Sequence, residues 1–214
     1  MNETIAQQFS ILAFLFSSAT FQTRNSLKIP YMKPLIKLYN AILGGKSNEI
    51  REMKNDALFD YFDIQDWTNL LSDVGTHAYN PDTISALIYC INNINNEIDG
   101  CEIYNYTILS LYCSHFFDDF YAYEIICSLL EHNANPKYYN CFYEVCNNNI
   151  IDYRILDILI AYGADVNEVS CEDYYTPYQK ATLMENYKLK KYLVDHGAKE
   201  MNVLKDNPLY SDII

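Results

Sequence analysis

A degenerate phrase near the C-terminus, Leu159-Ile160-Ala161-Tyr162-Gly163-Ala164-Asp165-Val166-Asn167, returns 34 residues later as Leu193-Val194-Asp195-His196-Gly197-Ala198-Lys199. Self-similarity at that period constrains the fold strongly, because each unit is too small to bury a core alone and must stack on its neighbours. Between the two phrases lies Thr176-Pro177-Tyr178-Gln179-Lys180-Ala181, with Thr176 placed 21 residues before Gly197. That is room for two short antiparallel helices and a turn. A threonine hydroxyl can cap a helix whose first residue is proline, since proline there forfeits no needed N–H. Gly163 and Gly197 can stop the second helix by entering the left-handed conformation without a Cβ penalty. Ala181, Leu189, Tyr192 and Leu193 supply the apolar faces.

The same phrase recurs upstream as Leu129-Leu130-Glu131-His132-Asn133-Ala134-Asn135-Pro136, 30 residues before the Gly163 copy. Asn133 stands where glycine is expected, and asparagine is the next most tolerant residue of positive φ. The opening halves align as well: Tyr106-Thr107-Ile108-Leu109, Tyr139-Asn140-Cys141-Phe142 and Tyr175-Thr176-Pro177-Tyr178, at intervals of 33 and 36. A weaker fourth unit runs from Asp66-Trp67-Thr68-Asn69-Leu70-Leu71 through Ile84-Ser85-Ala86-Leu87-Ile88-Tyr89-Cys90 to Gly100, without its helix-stopping glycine. Further back, Leu38 to Lys46 places Ala41 in a first helix and Gly45 between two helices of a capping unit. Terminal units of such arrays are atypical.

Thr176-Pro177-x-x-x-Ala181 and the phrase Leu159-Ile160-x-x-Gly163-Ala164-Asp165-Val166-Asn167 resemble, respectively, the opening and the closing of the ankyrin repeat. The resemblance implies an all-α helical repeat solenoid of four to five degenerate repeats with an atypical N-terminal cap. Residues 1–59 would be the cap or a degenerate first unit, 60–202 the repeat domain and 203–214 a tail. Tyr178-Gln179 replaces the family's Leu-His pair, which puts that loop's customary hydrogen bond to its neighbour in doubt. The family implies a non-catalytic module that binds another protein. The wealth of Asn, Ile and Tyr, and the worn closing phrases, look like the divergent ankyrin proteins of poxviruses, with effectors of intracellular bacteria next. Those would engage host defence or ubiquitin-pathway factors in the host cytoplasm, or in the nucleus. Asn202 to Ile214 is too short for an F-box-like segment, so a stand-alone binder is expected rather than a ligase adaptor.

Half of the 214 residues are apolar and only six are proline and six glycine, a composition that can bury a core. The net charge of −13, without any Lys/Arg cluster, argues against nucleic acid and anionic membranes as partners. It is compatible with a basic protein surface, and equally with a charge that only keeps the chain soluble and monomeric. Seven cysteines form an odd set without a Cys-x-x-Cys pair. Cys113 and Cys146 fall at equivalent repeat positions, as small buried apolar groups do. Reduced thiols in the cytosol or nucleus are expected. His77, His115, His132 and His196 are not at finger-like spacing from the cysteines, so no metal or other cofactor is expected. The apolar stretch Ile11 to Phe16 has nothing basic before it and reads as a capping helix rather than a secretion signal.

The sequence contains no phosphate-cradling glycine loop, nucleophile elbow or His-Glu-x-x-His helix. Asp60, Asp63 and Asp66 around Phe62, and Asp118-Asp119, are the nearest approach to catalytic carboxylates. An enzymatic alternative needs these acids to converge with His77 on one point. Without that, no enzyme is expected. A self-assembling repeat protein is a further alternative. For a binding module, the tips of the inter-repeat loops carry aromatics at repeat intervals: Tyr104 and Tyr106, Tyr138 and Tyr139, Tyr174 and Tyr175. Tyrosine is a favoured interface anchor, rigid and large with a polar handle. Glu172 and Asp173 would form an acidic rim. The chain has 21 tyrosines, so compositional bias accounts for the ladder as readily as an interface does.

Overall fold

The computed structural model describes residues 32–62, 64–78, 80–92, 94–95, 107–115 and 121–200, and among them there are ten α-helices and no strand. They are α1 (Met32–Leu43), α2 (Ser47–Glu52), α3 (Ile64–Ala78), α4 (Pro81–Cys90), α5 (Ile108–His115), α6 (Ala122–Glu131), α7 (Cys141–Asn147), α8 (Tyr153–Ala161), α9 (Pro177–Leu183) and α10 (Tyr187–Asp195). The fold is all-α. Its helices fall into two units, Met1–Ile108 with Asp118–Ala134, and Leu109–Phe117 with Asn135–Ile214.

In the first unit α4 packs against α2, α3 and α6. Asn80 caps α4 by accepting from the N–H groups of Asp82 and Thr83, with Pro81 at the first helical position. The helix ends at Cys90 without a glycine, the chain continuing extended at Ile91. Cys90 Sγ donates to the Ile50 carbonyl at 3.2 Å, tying α4 to α2. Leu35, Leu38, Ala41 and Ile42 of α1 are buried alongside Ile50 and Leu58. Gly45, at φ +60°, makes the turn into α2, and the Lys46 N–H returns to the Ala41 carbonyl at 2.8 Å. Trp67 stacks obliquely on Phe59 and Phe62, with centroids 5.2 and 5.0 Å away. Residues 32–59 therefore share a core with the helices that follow them.

In the second unit α7 packs against α8, α9 against α10, and the two first helices, α7 and α9, against each other. Phe142, Val145, Cys146, Leu156, Leu159, Ala181, Leu189 and Leu193 are sealed from solvent between them. Cys113 is equally buried and its carbonyl accepts from Asn148 Nδ2 at 2.9 Å.

The helix ending made at Gly45 recurs after α6, α8 and α10. After α6, the Asn133 N–H bonds to the Leu130 carbonyl and the Ala134 N–H to Leu129, both at 3.0 Å. After α8, Gly163 bonds to Ile160 and Ala164 to Leu159, both at 2.9 Å. After α10, Gly197 bonds to Val194 at 3.0 Å and Ala198 to Leu193 at 2.9 Å. Asn133, Gly163 and Gly197 have φ of 69°, 92° and 91°. This is the paired 6→1 and 5→2 closure that a left-handed residue permits. Each alanine is buried against its helix.

The turn between α9 and α10 closes the same way on the wrong residue. The Glu185 N–H reaches Thr182 and the Asn186 N–H reaches Ala181, while exposed Glu185 sits at φ 53°. A side chain in the left-handed region costs about 1 kcal/mol that glycine avoids. Glu185→Gly is therefore expected to stabilise the protein by about 0.5–1 kcal/mol. The check is a higher urea midpoint at unchanged slope; a lower midpoint would contradict the strain argument.

Candidate functional site

The described tyrosines of the ladder lie on two neighbouring loops of the second unit. The first loop leads into α7. Asn135 Oδ1 accepts from the Lys137 N–H at 3.1 Å, and Tyr139 and Asn140 both take the left-handed conformation, at φ 55° and 56°. Asn140 occupies the N-cap position of α7, as Thr176 does for α9. Its backbone conformation prevents it from capping, and its Nδ2 instead donates to the Val169 carbonyl at 3.2 Å, fastening the two loops together.

Capping of α7 falls to Glu168. Its Oε1 accepts from the Tyr143 N–H at 2.6 Å. A helix left without its own cap retains orphan donors that a carboxylate satisfies well. Burial, with Asp165 and Glu144 close by, pushes Glu168 up to about 7 despite that backbone bond. Sequence reasoning missed this residue. The signal available was the absence of Thr-Pro at Asn140-Cys141, which left α7 in need of a cap.

The second loop, from Val169 to Thr176, is held by the Ser170 N–H on the Tyr175 carbonyl (3.0 Å) and the Tyr174 N–H on the Ser170 carbonyl (3.1 Å). Ser170 Oγ accepts from the Glu172 N–H at 3.1 Å, and Tyr174 is left-handed at φ 58°. Asp173 braces this loop from within. Its Oδ2 accepts from the Tyr143 hydroxyl at 2.5 Å and from Lys180 Nζ at 3.0 Å, and its Oδ1 accepts from the Tyr175 N–H at 3.2 Å. Burial alone would raise the Asp173 carboxyl, but the bonds from Tyr143 and Lys180 outweigh it and hold the group below its ordinary value. Burial, and then the bond to Asp173, push the Tyr143 hydroxyl up.

Thr176 then starts α9 with a complete capping box: its Oγ1 accepts from the Gln179 N–H, and Gln179 Oε1 accepts from the Thr176 N–H at 2.9 Å. Gln179 thus turns inward to its own helix start.

Tyr138 and Tyr174 are 46% and 43% exposed, Tyr139 and Tyr175 are half-buried, and the Tyr138 and Tyr139 rings lie 6.3 Å apart. Glu172 is exposed. Val169, 50% exposed, adds an aliphatic side chain that sequence reasoning did not select. Glu144, on the first turn of α7, is pushed up to about 7 by burial and then by Glu172 and Asp173, with Lys180 opposing. Lys180 thus stands beside two carboxylates, bonding Asp173 and opposing the rise of Glu144. Tyr104 and Tyr106 lie outside the described residues.

The acids considered for catalysis are placed differently. Asp66 is buried and Asp60 exposed, while Asp63, Asp118, Asp119 and the His77 side chain lie outside the described residues, as does the stretch Ile11 to Phe16. Among the described residues no group of three or more His, Cys, Asp or Glu is arranged to hold a metal. The six described cysteines are free thiols, with Cys90, Cys113, Cys141 and Cys146 buried and Cys171 exposed. No described helix is long and apolar enough to cross a membrane. Compared with protein-family models and with curated proteins, the sequence matches none.

Proposed function

We propose that residues 60–202 form a stack of ankyrin-type repeats, and that the chain is a non-catalytic module binding another protein through its loop tips. The observation that carries this is the register of three helix endings, at Asn133, Gly163 and Gly197, with helix starts after Thr107, Asn140 and Thr176. A further bond repeats with it: Asn95 Nδ2 donates to the Asn133 carbonyl at 3.1 Å, and Asn167 Nδ2 to the Gly197 carbonyl at 3.3 Å. Each links a loop to the left-handed residue of the next helix ending. A backbone plan repeated this closely, while the tip residues differ, is how repeat proteins separate scaffold from specificity. In keeping with the style of the sequence, the partner is a host factor and the compartment the host cytoplasm.

The test is affinity capture from host-cell lysate by the tagged chain, comparing wild type with the combined variant Tyr138→Ser, Tyr139→Ser, Tyr174→Ser and Tyr175→Ser. Loss of interface anchors of this kind costs 2 kcal/mol or more, so the captured protein should fall about 30-fold while far-UV circular dichroism is unchanged. The pair Tyr138→Ser and Tyr174→Ser, confined to the more exposed rings, keeps the result readable if the fourfold variant unfolds. Undiminished capture by a folded variant would remove the tyrosine ladder from the interface.

A further inference from the structure

We propose that the open side of α1, formed by Lys33, Ile36, Lys37, Asn40 and Leu43, docks an acidic amphipathic helix of a partner protein. This surface belongs to the first unit and does not depend on the loop tips of the second. Its basis in the sequence is a segregation of charge. Residues 4–48 contain Arg24, Lys28, Lys33, Lys37 and Lys46 and no Asp or Glu, while all but one of the 28 acids, Glu3, lie beyond them in a chain of net charge −13. Helical period then divides α1 into two stripes. Leu35, Leu38, Ala41 and Ile42 are sealed in the core. Lys33, Ile36, Lys37, Asn40 and Leu43, spaced at i, i+3, i+4, i+7 and i+10, are all exposed, and the apolar pair is open to 46% at Ile36 and 36% at Leu43.

The two lysines of this stripe are the described Lys/Arg cations of the first unit that folding leaves unused. Lys46 pairs with Glu49 at 2.9 Å, Arg51 donates to Ser85 Oγ at 3.3 Å and Lys54 donates to the Tyr89 carbonyl at 2.8 Å. Among the described residues neither Lys33 nor Lys37 has an ion-pair partner. Charge complementarity therefore selects an occupant with carboxylates one helical turn apart, which reach the two ammonium groups in charge-assisted hydrogen bonds. Ile36 and Leu43, on the same stripe, call for apolar contacts that a phosphate backbone does not offer. A bilayer or a duplex would also set an extended negative field against an acidic chain. A single helix meets only the charges within a Debye length of about 8 Å, and those on α1 are positive. The rows at i+3 and i+4 spacing are ridges of the kind a second helix packs against.

The test uses the full chain and three fluorescein-labelled helical peptides of equal length, sharing one leucine stripe and carrying Glu, Gln or Lys at the positions beside it. Each is titrated by fluorescence anisotropy at low and physiological salt. The Glu peptide should bind most tightly and weaken with salt. Lys33→Glu combined with Lys37→Glu should weaken it about tenfold and strengthen binding of the Lys peptide. Both positions are exposed on a helix, so this variant keeps its far-UV circular dichroism. Ile36→Ser combined with Leu43→Ser should weaken the Glu peptide about tenfold as well, and Ile36→Ser alone keeps that result readable if the pair unfolds. Equal binding of the Glu and Gln peptides, undiminished Glu-peptide binding by the lysine variant, or no peptide binding would each overturn the proposal. So would light scattering that shows wild-type self-association lost in the lysine variant, which assigns the stripe to a second copy. Sedimentation with phosphatidylserine vesicles but no binding of the Glu peptide would assign it to a bilayer and overturn the proposal too.

Discussion

Phe142→Ala is expected to cost the second unit about 3–5 kcal/mol, the range for emptying a large aromatic site in a sealed core. Phe142 is completely buried at the start of α7, the helix that packs against both α8 and α9. A cavity there loosens two helix contacts at once, and the short helices around it have little propensity of their own to fall back on. A loss of this size is a large share of the stability of any domain. In a urea titration followed by far-UV circular dichroism, the midpoint should drop steeply or a first transition should separate from the main one. The control is Ile150→Ala: Ile150 is 70% exposed, and surface changes of this kind stay within about 0.5 kcal/mol. Similar midpoints for the two variants would contradict the packing described for α7.

The stability of the second unit should fall as pH rises from about 4.5 to about 7. Glu168 is raised from 4.5 to about 7, chiefly by burial, so over that interval the folded chain holds a proton that the unfolded chain releases. Stability declines wherever the native state binds more protons than the unfolded one, and the loss is complete above the folded pKa. For Glu168 this amounts to about 3 kcal/mol at most. Glu144, raised likewise from 4.5 to about 7 but less buried, adds a smaller contribution of the same sign. Glu168→Gln preserves an oxygen for the Tyr143 N–H and removes the buried charge. It should raise the melting temperature near pH 8 and flatten the pH dependence between pH 5 and pH 8. Glu168→Ala also flattens it, yet lowers stability at every pH by about 1–2 kcal/mol through the lost cap. Thermal melts across this range decide the matter: a midpoint that climbs with pH in the wild type, or a Gln variant as damaged as the Ala variant, would show that Glu168 is not a buried cap.

Much of the local structure was legible because it depends on residues close together in sequence. Asn133, Gly163 and Gly197 stand at three of the described left-handed helix endings, since few other residues accept that conformation cheaply. Thr176-Pro177 starts a helix at its expected place, and the intervals of 33 and 36 between opening halves match the starts of α5, α7 and α9. The apolar spacing in Ala181, Leu189 and Leu193 marks residues that are fully buried. Cys113 and Cys146 are likewise buried.

Helix starts, helix ends and buried faces in the last repeats are written in neighbouring residues, because capping, backbone sterics and helical period act within a few residues. The use made of the loops depends on packing between segments distant in the chain. Packing gave the cap of α7 to Glu168, 27 residues beyond Cys141, and bonded Asp173 to Tyr143 and Lys180. It also brought residues 32–59 into the core of the helices that follow. These bonds join groups far apart in the chain, and a carboxylate beside an aromatic reads the same in a sequence whether it faces water or an uncapped helix. Folding brings the donor within reach, and the cost of leaving that donor unsatisfied fixes the partner.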